Sequence, residues 1–390
     1  MAADTLTLKN VGPIEEASVQ FGDLTVFVGP QASGKSIFLQ FLKLLLDAGP
    51  IFRSLRRYGL DWDRKLPEFF DLFFGEGMKA VWNQGSRLDW RGKPVDVADF
   101  VRKLKKPAAG EKSFFIPAQR VLALSRDGWL RPFADYKPGD PYTVRDFSEK
   151  LRVLMESGLG GRDAISIFPQ ERRLKSEIRR LLDEAIFSGF RLQVERHGPQ
   201  KRLVLRGKGQ EQALPFMVWS AGQREFVPLL LGFYWLLPPT KTPRRGSIEW
   251  AIIEEPEMGL HPKAIVLVLV MVMELLARGY RVCLSTHSPH VLDLVWGLRI
   301  FQEHHAEPRN ILKLLEVRQS PQMLEVGAAV LKKTARVYYF DNETRTVRDI
   351  SPLDPGSSQV GEARWGGLID FSGRVGDAVA GLVARDADGV

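Results

Sequence analysis

Eight residues narrow what this chain can be more than any others. Gly29-Pro-Gln-Ala-Ser-Gly-Lys-Ser36 satisfies the pattern G-x-x-x-x-G-K-[ST] at every fixed position. By the residue usage of this chain, a chance match has a probability on the order of one to two per cent. The flanks are those a phosphate loop needs. Leu24-Thr-Val-Phe-Val28 is a continuous apolar run, as expected of a strand covered on both faces, and residues 37–46 are strongly apolar, as expected of a buried helix. The residue types follow from the physics. Gly29 and Gly34 let backbone N–H groups curl inward around phosphate oxygens, with Pro30, Gln31, Ala32 and Ser33 forming the loop between them. The helix that follows, from Lys35, Ser36 and Ile37 onward, adds unsatisfied N–H groups and a positive dipole end. Lys35 is expected to reach the outer phosphates and Ser36 to supply an oxygen to Mg²⁺.

Three further segments carry polar groups where a sheet can present them. Trp250-Ala-Ile-Ile-Glu-Glu-Pro-Glu257 is an apolar strand that ends in carboxylates, at the edge where α/β sheets bind ligands. Glu254 is expected to hold Mg²⁺ through water and Glu255 to polarise an attacking water. Ser220-Ala-Gly-Gln-Arg-Glu225 precedes an apolar helix, and its Ser and Gly would make a second anion site at a helix start. Ser285-Thr-His-Ser-Pro289 follows the apolar strand Arg281-Val-Cys-Leu284. His287 can there donate a hydrogen bond to a γ-phosphate, although a single histidine after a strand is more often structural.

The order of these elements decides between the readings. Phosphate loop, Ser-x-Gly-Gln, acidic strand and histidine strand end occur in that sequence, which resembles the ABC ATPase head, where Ser-Gly-Gly-Gln is the signature loop. Glu254-Glu-Pro-Glu-Met-Gly-Leu-His-Pro262 is similar to the Walker B segment Glu-Glu-Pro-Glu-x-x-Leu-His-Pro of the SMC/RecF/OLD-like branch. Ser-Thr-His-Ser-Pro289 is similar to that branch's ending, and Leu8-Lys-Asn-Val-Gly-Pro-Ile14 to its first strand and turn. Phe115-Ile-Pro-Ala-Gln-Arg120 is similar to a strand-end segment of the branch, and by that likeness Gln119 senses both Mg²⁺ and the γ-phosphate. The likeness covers about residues 1–50 and 190–345. Glu254 stands where ABC transporters have Asp, and Ala221 replaces a signature glycine. Both changes keep the needed chemistry, a carboxylate in one place and a close backbone approach in the other.

The resemblance implies an α/β, ABC-type P-loop head that binds ATP and Mg²⁺ and hydrolyses ATP, with Glu255 and His287 catalytic. It also implies a head-to-tail homodimer. In this family the signature loop caps the opposite copy's phosphate loop, so Ser220, Gly222 and Gln223 would meet the other subunit's γ-phosphate.

Alternating apolar strands and helices imply a parallel sheet, and composition divides the chain into four stretches. Residues 1–50 carry the phosphate loop. Residues 51–189, rich in Arg, Lys, Trp and Phe, read as a mostly helical basic insertion, with a strand near 113–120 returning to the main sheet and an amphipathic helix over 169–187. Residues 190–350 hold the signature, acidic strand and His287, with hairpins at 190–206 and 335–348. Residues 351–390, rich in Gly, Ser, Asp and Ala, read as a tail that is at best partly ordered.

Composition excludes some classes and leaves others open. A single cysteine, Cys283, rules out an internal disulfide framework and fits a reducing, cytoplasmic setting. The start, Met-Ala-Ala-Asp-Thr, lacks a secretory pattern. The apolar runs 226–238 and 264–273 fall short of the roughly 18–20 residues that span a bilayer, so no membrane partner is expected. The pair His304-His305 reads as a solvent-facing loop rather than a metal site. The net charge of +8 permits nucleic-acid binding without requiring it. Three basic groups are the candidates for DNA contact: Arg53, Arg56 and Arg57; Arg102, Lys103, Lys105 and Lys106; and Arg172, Arg173, Lys175, Arg179 and Arg180. Each also reads as a solvated helix face. The residues after Arg345 are too few for the Toprim nuclease domain common in the OLD-like branch.

Three functional readings therefore stand. The first is an ATPase that controls a separately encoded nuclease or toxin, in bacterial defence against phage. The second is a DNA repair or maintenance ATPase that clamps DNA, and the third is a transporter's nucleotide-binding subunit. All share one expectation: Lys35→Ala removes the cation from the phosphate cradle and abolishes ATP binding, as read by equilibrium binding of a fluorescent ATP analogue. Tight binding by that variant would contradict the assignment of the loop.

Overall fold

The computed structural model describes residues 4–102, 110–159, 166–198, 200–209, 212–239, 243–357 and 359–387. In chain order the elements begin with β1 (Thr5–Val11), β2 (Ile14–Gln20), β3 (Leu24–Val28), α1 (Lys35–Arg57) and α2 (Leu66–Phe74). Next come β4 (Trp82–Trp90), β5 (Lys93–Pro94), α3 (Val97–Arg102), β6 (Ser113–Ile116), α4 (Tyr142–Val153), β7 (Ser166–Phe168) and α5 (Ser176–Leu182). The hairpin β8 (Arg191–His197) and β9 (Gln200–Arg206), then β10 (Leu214–Pro215), lead to α6 (Ala221–Leu236), β11 (Trp250–Glu254), α7 (Pro262–Ala277) and β12 (Arg281–Ser285). The last elements are α8 (Pro289–Glu303), α9 (Pro308–Leu314), α10 (Pro321–Val330), β13 (Ala335–Phe340), β14 (Val347–Asp349), α11 (Val360–Ala363) and α12 (Asp370–Ala387).

The main sheet has the order β14-β13-β3-β12-β11-β6. Its strands run parallel except β14, which closes one edge antiparallel to β13. The apolar pattern explains the sandwich around it. Successive strand residues point to opposite faces. Leu24, Val26 and Val28 of β3 join one core with α6 and α7, whereas Phe27 joins the other with α1 and α2. Strand β11 divides the same way, Ala251 and Ile253 to the first core and Trp250 and Ile252 to the second. A strand buried on both faces is nearly continuously apolar, which is the pattern of β3, with Thr25 its one polar residue, and of β11, polar only at the terminal Glu254. Two antiparallel sheets, β2-β1-β4-β5 and β10-β9-β8-β7, flank this body.

Helix α1 is broken at Asp47 (φ −132°, ψ 24°), one turn before Pro50, whose ring crowds the preceding carbonyls. The break turns Asp47 into a staple. Its carboxylate accepts from Lys43 Nζ (2.8 Å), Lys112 N (2.6 Å), Ser113 N (3.0 Å) and the Ser113 hydroxyl. Lys43 also donates to Glu111 (2.6 Å) and to the Ser113 carbonyl (2.9 Å). Burial alone would favour neutral Lys43, but the carboxylates of Asp47 and Glu111 more than reverse this and hold it above the ordinary lysine range. Glu111, which burial would raise, is pulled down to about 2 by Lys150 and Lys43. The start of β6 is thus fastened to α1 by a buried ionic cluster.

Several elements differ from the sequence expectation. The region 51–189 contains β4, a nine-residue strand paired with β1. The helix expected over 169–187 starts only at Ser176 and ends in a π-helical turn, Asp183–Phe187. The residues before it form a turn that buries Arg173, whose guanidinium donates to the Tyr234 and Leu237 carbonyls at the end of α6 (3.0 Å each). The tail carries α11 and α12. The apolar runs 226–238 and 264–273 fall in α6 and α7, both buried, and no helix among the described residues is long and apolar enough to cross a membrane.

Breaking one partner of a buried charge cluster strands the others. Asp47→Ala should therefore lower the unfolding free energy by about 3–5 kcal/mol, seen as a lower midpoint in urea denaturation. A midpoint equal to that of the wild type would show that Lys43 finds compensation elsewhere.

Candidate active site

Because β3, β6, β11 and β12 run parallel, the segments following them leave the sheet from one edge. The phosphate loop follows β3. Gly29 has φ 142°, and a Cβ there would stand 2.3 Å from the Phe340 carbonyl oxygen of β13. Gly34 has φ 98°, and its Cβ would meet Ile14 Cγ1 at 2.6 Å. Both positions therefore require glycine, on steric as well as torsional grounds. Ala32 also takes a left-handed conformation (φ 59°). Ser33 Oγ donates to the Pro30 carbonyl (2.8 Å). Helix α1 starts at Gly34 with no side-chain cap, so its first amides, those of Lys35, Ser36 and Ile37, stay available to an anion in the loop.

Lys35 is 6% exposed, and its ammonium donates to the carbonyls of Gly29 (2.8 Å) and Pro30 (2.7 Å). Burial lowers its pKa to about 8, against the opposing pull of Glu255 and Glu257. This is a cation short of negative charge, held by the loop that a polyphosphate would enter.

The acidic strand end supplies the opposite sign. Glu254, 3% exposed, accepts from the Ala118 amide through Oε2 (3.1 Å). Its Oε1 is buried with no hydrogen-bond partner. Burial raises its pKa, and the Ser36 side chain and the Ala118 amide oppose that rise. A buried carboxylate oxygen without a partner, next to a serine hydroxyl, is a fitting pair of ligands for Mg²⁺. Glu255 lies half-buried in a left-handed conformation (φ 42°), its amide bonded to the Ser285 carbonyl (3.0 Å). Its Oε1 is 3.5 Å from His287 Nε2. The imidazole is the main reason its carboxyl titrates below the usual range, with burial opposing and Lys35 and Arg120 adding smaller pulls downward.

Gln119, far from the phosphate loop in sequence, is brought to the site by strand pairing. Strand β6 pairs with β11, which puts Ala118 against Glu254 and Gln119 at the next residue, exposed at the edge of the site. The signature residues are placed differently. Ser220 caps α6 in a reciprocal capping box with Gln223, Ser220 Oγ accepting from Gln223 N (3.2 Å) and Gln223 Oε1 from Ser220 N (3.1 Å). Gln223 Nε2 donates to the Ile186 carbonyl (3.2 Å). Ser220 is exposed, and Gly222 lies against the carbonyl of Gly259.

Two residues that sequence reasoning left without a role are central here. Glu257 Oε1 accepts from Thr286 Oγ1 (2.8 Å) and from the His287 amide (2.6 Å), so it holds the histidine turn. Arg120, wholly buried, donates through Nη1 to the carbonyls of Glu254 (3.2 Å) and Glu255 (3.0 Å). The third carboxylate of Glu-Glu-Pro-Glu and the basic end of Phe-Ile-Pro-Ala-Gln-Arg were the signals available for them.

The basic groups fare unevenly. Besides the buried Arg173, Lys175 pairs with Glu274, and Arg180 with Glu177 and Glu184. Arg172 is exposed, as are Arg53, Arg56 and Arg57. Lys103, Lys105 and Lys106 lie outside the described residues. His304 and His305 face solvent, and no group of three His, Cys, Asp or Glu among the described residues could hold a metal ion.

Against known proteins, the profile of the family described as "AAA domain, putative AbiEii toxin, Type IV TA system" matches residues 24–293. Nothing matches among curated protein sequences. Solved structures with a similar chain path include an SMC head bound to the C-terminal winged-helix domain of ScpA, at 11% identity and TM-score 0.37 over 73% of this chain and 89% of that one. The SMC head domain from Thermotoga maritima gives 14% and 0.33, covering 75% and 92%. A dimeric ABC transporter cassette gives 12% and 0.34, covering 88% and 97%. None of these superpositions is close enough to bear on the site.

The depressed pKa of Lys35 has a measurable consequence. In the free protein Lys35 loses its proton as pH rises through about 8. A phosphate beside it favours the charged form and raises that pKa. Ligand binding above pH 8 should therefore take up about one proton and weaken as pH rises, whereas well below pH 8 no uptake occurs at this lysine. Calorimetric titration with ATP at about pH 9, in buffers of different ionisation enthalpy, reads the proton directly. A zero count there would place Lys35 away from the phosphates.

Proposed function

The chain belongs to this AAA-domain family, and from that premise we propose that it is a P-loop ATPase of the SMC/ABC-like kind, which binds Mg-ATP in the loop Gly29–Ile37 and hydrolyses it. One observation carries the reading. A single sheet edge gathers an under-compensated lysine, a buried Glu254 oxygen without a partner beside Ser36, and an ionised Glu255 within 3.5 Å of His287.

The roles follow from the chemistry. Gly29, Pro30, Gln31, Ala32, Ser33 and Gly34 wrap the phosphates, and Lys35 balances their charge. Ser36 and Glu254, with Gln119 at the rim, would hold Mg²⁺. That ion, when bound, neutralises charge on the phosphate oxygens. Glu255 orients a water and takes its proton as the new O–P bond forms and the bond from the γ-phosphorus to the bridging oxygen breaks. His287 donates a hydrogen bond to the γ-phosphate, and Glu257 fixes the turn that carries it. Ser220, Gly222 and Gln223, on the exposed start of α6, complete the site of a second copy, so ATP joins two heads and hydrolysis parts them.

The working role that best fits is regulatory, in the cytoplasm: ATP-dependent pairing controls a separately encoded effector, a nuclease or toxin of anti-phage defence. The family's description, which names a toxin system, supports that setting. A direct DNA clamp is the second reading. Within the 172–180 run, Arg173 is buried against carbonyls and Lys175 and Arg180 are paired with carboxylates, which leaves less free charge there to favour it. Nothing among the described residues favours the third, a transporter's nucleotide-binding subunit.

Glu255→Gln keeps the shape and loses the base. It should bind ATP normally, turn over at least about 100-fold more slowly, and accumulate as an ATP-bound dimer in light scattering. Wild-type phosphate release by this variant would move the base to another residue.

A further inference from the structure

Between the first turn of α6 and the end of β11 lies a buried cation with unused bonding capacity. Besides its bonds to the Glu254 and Glu255 carbonyls, Arg120 donates through Nε to the carbonyl of Glu225 (3.2 Å), which belongs to the first turns of α6. Its Nη2 is buried without a partner. Four carboxylates act on the guanidinium charge: Glu225, Glu257, Glu255 and Glu254. Three of them also keep a buried oxygen without a partner, namely Glu225 Oε2, Glu254 Oε1 and Glu257 Oε2. The first turns of α6 also pack closely on the segment around Gly259. A Cβ at Gly222 would lie 3.2 Å from the Gly259 carbonyl, and one at Gly259 would lie 3.1 Å from Glu225 Cγ.

Half-satisfied groups packed this densely are poised to exchange partners, because each alternative arrangement gains a bond that the present one lacks. The guanidinium is a rigid planar fork. If the first turn of α6 is drawn toward a phosphate, the Glu225 carbonyl moves, and the fork carries the Glu254 and Glu255 carbonyls with it. Glu255 is already in a left-handed conformation, so a small rotation re-aims its side chain.

We propose that Arg120 is a positioning residue that couples the first turn of α6 to Glu255 of the same chain, so that engagement of Ser220 and Gly222 by a second copy's ATP sets the hydrolytic carboxylate of the chain that bears them. This rests on the ATP-sandwiched dimer proposed above. It deepens that reading, because the two composite sites of a dimer then act together rather than independently.

The test compares Arg120→Lys with Arg173→Lys. Both remove a buried fork that holds carbonyls of α6, Arg120 near its start and Arg173 at its end. A merely structural role predicts similar losses in both. Phosphate release is followed against ATP concentration, and binding of a fluorescent ATP analogue is measured separately. The wild type should show a Hill coefficient clearly above 1, up to about 2. Arg120→Lys should bind the analogue within about threefold of wild type, lose about tenfold or more in maximal turnover, and fall to a Hill coefficient of about 1. Arg173→Lys should keep turnover and cooperativity even where its melting temperature drops equally. If Arg120→Lys does not fold, isosteric Glu225→Gln decides, since it removes the largest favourable charge acting on the guanidinium and should also lower the Hill coefficient. Wild-type cooperativity in the folded variants, an equal loss in Arg173→Lys, or a wild type that hydrolyses ATP without cooperativity would each overturn the coupling. A wild type that neither hydrolyses ATP nor dimerises with it would instead overturn the ATPase reading itself.

Discussion

The parallel register of the main sheet is the constraint on which everything else depends. Strands that run side by side in one direction must deliver their following turns to one edge. Here β3 delivers the phosphate loop, β11 the paired carboxylates, β12 the histidine turn and β6 the segment from Ala118 to Arg120. No single segment has the chemistry of the site. The loop has cation and amide donors, the acidic strand has the charge to hold a metal and activate water, and the sheet alone brings them within bonding distance. Both faces of β3 and β11 are buried in separate apolar cores, so the register cannot slip without exposing one core or clashing in the other.

Charge is handled in two contrasting ways within this frame. Around Lys43, Asp47 and Glu111 most donors and acceptors are matched, and the cluster serves as a fixed staple between α1 and β6. Around Arg120, Glu225, Glu254 and Glu257 several buried atoms have no partner. The two clusters sit at opposite ends of β6, one before Ser113 and one after Ile116. A short strand with a rigid anchor at one end and an unsatisfied network at the other suits a segment that must be placed accurately and still respond.

The parts legible from sequence were those whose signal is compact. The phosphate loop spells its torsional needs in eight residues, and β3 and β11 announce double burial by runs that are apolar except for Thr25 and the terminal Glu254. Strand β6 was legible as a returning strand from its short apolar run Phe114-Phe-Ile116. What stayed hidden depends on partners far along the chain. The break at Asp47 is stabilised by amides 65 and 66 residues away, and a helical pattern gives no warning of it beyond Pro50. The basic run 172–180 looks like a surface charge cluster until Lys175 meets Glu274, 99 residues on. Arg120 closes a recognisable segment, Phe115-Ile-Pro-Ala-Gln-Arg120, but its partners are main-chain carbonyls, which have no sequence signature, so the bonds it makes were not legible.

The contact between Gly29 and the Phe340 carbonyl has a consequence for how the protein is made. The phosphate loop is complete in sequence near the start of the chain, but one of its walls is the end of β13. Strand β3 also takes its hydrogen bonds from β12 on one side and β13 on the other. A ribosome that has passed Ser36 has therefore translated every residue of the loop without being able to assemble the cradle. Until β12 and then β13 emerge, β3 is an apolar strand with open edges, the kind of segment that nascent chains must shield. Assembly of the cradle is thus a late event in synthesis, and an interrupted translation product would carry the whole motif with no cradle built from it.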